Sequence, residues 1–235
     1  MCGRFTLSTP GEKWTDLFDV ELGRTTTLPR YNIAPSQEVL AVRQRRGGAG
    51  RELVSLRWGL IPAWANDPRI ANRLINARAE SLAQKPAFRD AYRDRRCLLV
   101  ADGFYEWQGK TGTRRPHYYR LGDGGVFGMA ALWERWNPPA PSAGTPPGPV
   151  ETCTIVTTEA NGLVRLVHDR MPLILSPRDH QLWLGARDLK ELTGLLTPFP
   201  ANWLVSYPVG SFVNDANHDG PACIEPAEAA ADDPV

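Results

Sequence analysis

The feature that most constrains this chain is a set of short strand-like runs not regularly alternated with helices. Runs rich in Val, Leu, Ile and aromatic residues, bounded by Gly, Pro or polar residues, occur at Glu38–Arg43, Leu53–Trp58, Arg96–Ala101, His117–Leu121, Val126–Trp133, Thr152–Thr157 and Trp203–Val205. Such runs read as strands. Helical signals are fewer: Pro10–Phe18, Ala79 through about Tyr92, Ala160–Leu166, Pro177–Leu184 and Asp188–Leu196, the last with leucines at 189, 192, 195 and 196 on a helical period. Ser176, just before Pro177, is expected to cap the helix that follows. A parallel α/β sheet needs strands and helices in alternation, so the expected class is α+β, one β-rich domain with mixed or antiparallel strands and several short helices. At 235 residues and 42% hydrophobic content the chain can bury its own core, and a monomer is expected.

Two segments fall outside this pattern. Asn137–Val150 is rich in proline and glycine and lies between two strand candidates, so it reads as an excursion from a hairpin. From about Ala216 the sequence is acidic and poor in apolar residues, which predicts a disordered tail over 216–235 behind a domain spanning 1–215. No apolar run approaches the ~20 residues of a membrane span. The N-terminus lacks the basic-then-apolar layout of a secretion signal. A cytoplasmic protein is expected, nucleoid-associated in a bacterium.

Net charge is +1, but its distribution is uneven. Residues 1–120 carry 21 Lys+Arg against 12 Asp+Glu, and residues 121–235 carry 6 against 14. This asymmetry suggests a basic face for an anionic partner. Of the 27 basic residues, 23 are arginines, whose guanidinium forks suit phosphate; a GC-rich coding bias would give the same excess. The four cysteines, Cys2, Cys97, Cys153 and Cys223, form no CxxC pair, so neither a zinc ribbon nor a disulfide framework is expected. Cys97 and Cys153 open apolar runs and read as small core residues.

Four short segments carry chemistry. The chain begins Met1-Cys2-Gly3-Arg4. Removal of Met1 would leave a 1,2-aminothiol at Cys2. Its α-amine has a pKa of about 7.7–8.0, against about 10.4 for lysine, so much of it is neutral and nucleophilic at physiological pH. It can condense with an aldehyde to an imine, which the thiol can close to a thiazolidine. Next comes Asn76-Ala77-Arg78-Ala79-Glu80. Asparagine can orient a substrate hydroxyl or carbonyl, and the arginine can hold a phosphate; a helix N-cap at Asn76 is the structural alternative. Third is Asp102-Gly103-Phe104-Tyr105-Glu106-Trp107, following the buried-looking run from Cys97. A carboxylate among aromatic residues is desolvated, which raises its pKa toward general acid–base use; a surface Glu106 on an edge strand is the alternative. Fourth is His168-Asp169-Arg170-Met171-Pro172, where a histidine beside an arginine could shuttle protons near a phosphate. His117, His180 and His218 lack such company and read as structural or exposed.

These segments stand in a fixed order with Tyr31-Asn32-Ile33-Ala34-Pro35 and with RWGLIPAW over Arg57–Trp64. In that order they resemble the SOS response-associated peptidase (SRAP) family over roughly residues 2 to 215. Several motifs matching in order are more specific than any one. The resemblance implies a single β-rich domain with a basic groove, acting on abasic sites in single-stranded DNA through a covalent thiazolidine cross-link. It assigns the nucleophile to Cys2, active-site roles to Asn76, Glu106 and His168, and phosphate contacts to Arg4, Arg78 and Arg170. It implies no metal and no organic cofactor. The peptidase label refers to removal of Met1. If the imine forms without thiol closure, β-elimination gives lyase activity. Many bacterial members have two adjacent tryptophans where this chain has Trp64 alone, so a two-ring wedge does not follow; unpaired bases are expected to stack on Trp64 or Phe104. The other readings are an N-terminal-nucleophile amidohydrolase of the glutaminase type, also opening Met-Cys-Gly, a non-enzymatic single-strand-binding module, and self-processing of Met1 alone.

Overall fold

A computed structural model describes residues 2–23, 25, 27–45, 47, 50–109, 114–139 and 148–227. The strands are β1 (Arg4–Leu7), β2 (Arg30–Ile33), β3 (Glu38–Gln44), β4 (Arg51–Trp58), β5 (Asn76–Arg78), β6 (Arg96–Ala101), β7 (Gly103–Gln108), β8 (Arg115–Leu121), β9 (Phe127–Trp136), β10 (Val150–Glu159), β11 (Arg170–Pro172), β12 (Ile174–Leu175) and β13 (Leu204–Pro208). The α+β, strand-rich class is observed. The principal strands form a closed ring, β10-β4-β3-β6-β9 and back to β10, antiparallel except for the parallel β4–β10 step. Closing a sheet on itself leaves its central strands no exposed edge. Strand β6 is buried at every position, so the run from Cys97 to Ala101 supplies core directly; Cys97 and Cys153 are both fully buried.

A second antiparallel sheet, in the order β13-β8-β7-β1-β2, packs beside the ring. The chain passes from one to the other between β6 and β7, through the single residue Asp102. Asp102 is 5% exposed, and its carboxylate accepts from the Thr6 hydroxyl, the Ser8 amide (2.7 Å) and hydroxyl (2.9 Å), and the Thr9 amide and hydroxyl (both 2.8 Å). One buried carboxylate thus ties down the exit of β1. Gly103 lets the sheet close there, because a Cβ would sit 2.2 Å from the Tyr118 hydroxyl. Phe5 of β1 packs edge-on against Trp58 of β4, with ring centroids 5.3 Å apart, and so pins the second sheet to the ring.

Several helical expectations are corrected. The stretch from Ala79 to Tyr92 is not one helix: it holds a 3-10 turn at Ala79–Ser81 and a separate helix α2 (Arg89–Asp94). Pro86 lacks an N–H and biases Lys85 away from the helical region. Pro10–Phe18 splits into a 3-10 turn at Gly11–Lys13 and α1 (Thr15–Phe18). Only Val164–Leu166 of the Ala160–Leu166 stretch is helical, because Asn161 Oδ1 accepts from the amides of Leu163 and Val164 and forms a local turn instead. Asp188–Leu196 is a 3-10 helix over Leu189–Leu195, capped by Asp188 Oδ1 on the Lys190 amide. Pro177–Leu184 is a 3-10 turn leading into α3 (His180–Gly185). Ser176 stands at its N-terminus but does not cap it; its hydroxyl donates to the Asp179 carboxylate.

Strands β9 and β10 pair as neighbours across the proline-rich excursion, with Trp136 opposite Val150. Residues 140–147 of that excursion lie outside the described residues. The expected tail boundary at 216 moves. Residues 216–227 pack onto the second sheet: Asn32 Nδ2, which also donates to the carbonyls of Val213 and Asp215 just before them, donates to the His218 carbonyl, Cys223 is fully buried, and the Tyr207 hydroxyl donates to the Ile224 carbonyl. A buried asparagine that gathers three carbonyls overrides the acidic, apolar-poor composition of this stretch. The rest of the expected tail, 228–235, lies outside the described residues.

Candidate functional site

The N-terminal strand carries residue 2 to the site. Strand β1 runs antiparallel between β2 and β7, with Arg4 opposite Tyr105 and Phe5 opposite Phe104. Continuing that ladder outward brings the end of the chain alongside Glu106. The ring contributes from the other side. Trp58 donates from its indole to the Ile75 carbonyl at 2.9 Å, holding the chain just before β5. Strand β5 then pairs parallel to β10, with Asn76 opposite Ile155 and Arg78 opposite Thr157. Asn76 is in a strand and does not cap a helix; its Nδ2 donates to the Cys2 carbonyl at 2.9 Å. Its Oδ1 is buried with no hydrogen-bond partner among the described residues.

Beside Cys2 opens a cleft of about 610 Å³, lined in part by Gly3, Arg4, Glu106, Trp107, Arg114 and His168. Glu106 is 2% exposed, and burial pushes its carboxyl up to about 7. It shares a sheet face with Phe104 and Tyr119, whose rings stack, and it stands opposite His117 in the β7–β8 register. Cys2 is fully buried, and burial, followed by the Glu106 charge, holds its thiol far above the ordinary thiol range. The thiol therefore stays protonated at physiological pH.

Burial also lowers the His168 imidazole below its ordinary range, so the ring is neutral near pH 7. The Arg170 amide donates to His168 Nδ1 at 2.9 Å and orients the ring. Asp169 Oδ1 also lies 2.9 Å from Nδ1. That contact becomes an ion pair only when the imidazole is protonated.

The expected phosphate ligands differ from one another. Arg4 is half-buried and committed inside the protein: its Nη1 donates to Asn32 Oδ1 (2.8 Å) and the Val213 carbonyl (3.0 Å), and its guanidinium lies over Trp107 at 5.9 Å. Arg170 is held bidentately by Glu80 at 2.7 and 3.0 Å and donates to the Thr157 carbonyl at 2.6 Å. Arg78 is exposed, and its guanidinium makes no hydrogen bond or ion pair among the described residues; its carbonyl accepts from the Ser81 hydroxyl. Trp64 is 59% exposed, an open ring face available for stacking, whereas Phe104 is fully buried against the Tyr119 ring, so the expectation that bases stack on it is corrected. The sequence reading gave no role to Glu80, Trp107, Arg114 or Asn214. Glu80 lies in the same short motif as Arg78, so its proximity was visible. Asn214 reaches the cleft only through long-range folding, where its Oδ1 accepts from the Trp107 indole at 2.8 Å. Among the described residues no cluster of His, Cys, Asp and Glu could hold a metal ion, and no helix is long and apolar enough to cross a membrane.

This is a strand-rich α+β protein whose N-terminal cysteine lies beside a cleft lined by a buried carboxyl, a neutral histidine and arginines. Residues 1–216 match the family described as SOS response associated peptidase (SRAP), and the chain belongs to that family. It is 40% identical over 231 residues to the abasic site processing protein YoqW of Bacillus subtilis, covering 96% of this chain and 99% of that one. It is 30% identical over 242 residues to the abasic site processing protein YedK of Escherichia coli, covering 96% and 100%. A solved structure from Bacteroides thetaiotaomicron superposes with a TM-score of 0.83 at 24% identity, over 97% of this chain and all of that one, and shares the fold.

Proposed function

We propose that this chain processes abasic sites in single-stranded DNA by covalent capture through Cys2 once Met1 is removed. The observation that carries the reading is convergence at the chain's end: Asn76 holds the Cys2 carbonyl, while Glu106 and His168 line the adjoining cleft. The relatives named as abasic site processing proteins support it.

The chemistry follows from the protonation states. An abasic site presents an aldehyde when its sugar ring opens. The freed α-amine attacks that carbon first, since the Cys2 thiol is held protonated by burial. Loss of water gives the imine. Glu106, poised near 7, accepts the amine proton and returns it to the departing hydroxyl. His168 assists opening of the sugar ring. The thiol sulfur then bonds to the imine carbon and its proton passes to nitrogen, which closes the thiazolidine. The buried Asn76 Oδ1 is an acceptor for the α-amine. Arg78 serves a flanking phosphate, and Trp64 an unpaired base. Where the thiol fails to close the ring, β-elimination from the imine cleaves the strand. Met1 removal is assigned to the same groups acting in cis.

Borohydride separates the two stages. With an oligonucleotide carrying one abasic site, the wild-type protein is expected to give a heat-stable adduct without reductant. Cys2→Ala keeps an α-amine but no thiol, so it should be trapped only when borohydride reduces the imine. A heat-stable adduct from Cys2→Ala without reductant would refute thiol closure.

A further inference from the structure

Three elements meet at the far end of β10. Strand β5 runs along one edge, ending in Arg78 opposite Thr157. Strand β11 runs antiparallel to the same stretch, with Arg170 opposite Glu159 and Pro172 opposite Thr157. Glu80, in the 3-10 turn after β5, reaches over to β11 and grips the Arg170 guanidinium with both carboxylate oxygens, at 2.7 and 3.0 Å. The hydrogen bonds to Arg170 hold the Glu80 carboxyl below the usual carboxylate range, so it is ionised at neutral pH. The Arg170 side chain is 11% exposed and takes a further anchor from the Thr157 carbonyl. The same residue's amide donates to His168 Nδ1.

We propose that Glu80 is a positioning residue for His168, acting through Arg170. Glu80 fixes the Arg170 side chain, which fixes the start of β11. The Arg170 amide then holds the His168 ring in its orientation at the cleft. The inference rests on the abasic-site reading above, because it concerns the rate of that capture. Glu80 also sets its negative charge beside the exposed Arg78 and ties up Arg170, so it weakens DNA binding while it supports the chemistry. The two effects have opposite signs, and that separates positioning from a merely structural contact.

The test is single-turnover capture of an abasic single-stranded oligonucleotide, with affinity measured on the undamaged strand. Glu80→Ala should slow capture at saturating DNA by on the order of tenfold, a fraction of what a general acid or base contributes. Its affinity for the undamaged strand should be equal or about two- to fivefold tighter, with a salt slope steeper by roughly 0.7 from the arginine set free. Glu80→Gln keeps an oxygen for one Arg170 N–H, so its rate should fall between Glu80→Ala and wild type. It also serves as the better-folded variant if Glu80→Ala melts early. A saturating rate equal to wild type in both variants overturns the proposal, as does a parallel fall in affinity and rate. If the wild-type protein itself forms no adduct, the abasic-site reading fails, a result distinct from failure of the Glu80 role.

Discussion

Asn76 donates from Nδ2 to the backbone carbonyl of Cys2 across 2.9 Å, joining a short strand on the closed ring to the end of a strand in the second sheet. The contact uses the side chain's donor and leaves its acceptor buried and unmatched among the described residues. Asn76→Ala should cost about 1 kcal/mol of stability, the usual net value of one hydrogen bond. It should slow capture by at least about tenfold, because small misplacements of reacting groups are costly. Asn76→Asp should be slower still, since a carboxylate there would face the Cys2 carbonyl with no N–H to offer. Single-turnover rates beside thermal melts check both.

Glu106 makes the pH dependence specific. As a base it must be ionised, so capture should rise as pH passes about 7. Glu106→Gln should lose that limb and keep only the rise from the α-amine, near 7.7–8.0. Stability moves oppositely. The folded carboxyl binds its proton more tightly than the unfolded one, so folding stability falls between the ordinary carboxylate range and about pH 7, and is level above. Glu106→Gln should therefore stabilise the protein above pH 7, by up to about 3 kcal/mol, and do little near pH 4. Denaturant melts at the two pH values read this out, and equal gains at both would contradict the buried-carboxyl assignment.

Asp102 serves stability alone. Its carboxylate satisfies two backbone amides and three hydroxyls around the exit of β1. Asp102→Ala leaves those donors unmatched and should cost about 2–4 kcal/mol. Residual capture by the folded fraction should stay close to wild type at low temperature. An unchanged melting temperature would show that β1 is anchored by its ladder and the Phe5–Trp58 contact instead.

Arg78 and Trp64 should separate charge from stacking. Arg78→Ala should weaken binding to any single strand and lower the salt slope by roughly 0.7. Trp64→Ala should cost about 1–3 kcal/mol of binding with little change in salt slope. Affinities at two or more salt concentrations distinguish them.

Much of this was legible in the sequence where one local rule dominated. The ring strands β3, β4, β6, β9 and β10 are rich in Val, Leu, Ile and aromatic residues, and each lies within about three residues of its expected bounds. Strands β1, β2 and β5 are three or four residues long and carry Arg, Asn and Thr, so no local pattern marks them; the ladders on either side make them strands. The helices failed for local reasons, Pro86 inside one and the Asn161 turn inside another. Glu106 announces its own chemistry, a carboxylate flanked by aromatics on a strand that the fold then buries. Arg170 could not be read locally, because its partner Glu80 lies 90 residues away.

The most direct test of the account is intact mass of the purified protein before and after incubation with a single-stranded oligonucleotide carrying one abasic site. The account predicts a starting mass lacking Met1, then a heat-stable species equal to protein plus oligonucleotide less one water, which does not survive heating with Cys2→Ala. A protein that has lost Met1 and forms no such species, or a Cys2→Ala variant that forms it equally well, would contradict capture through Cys2.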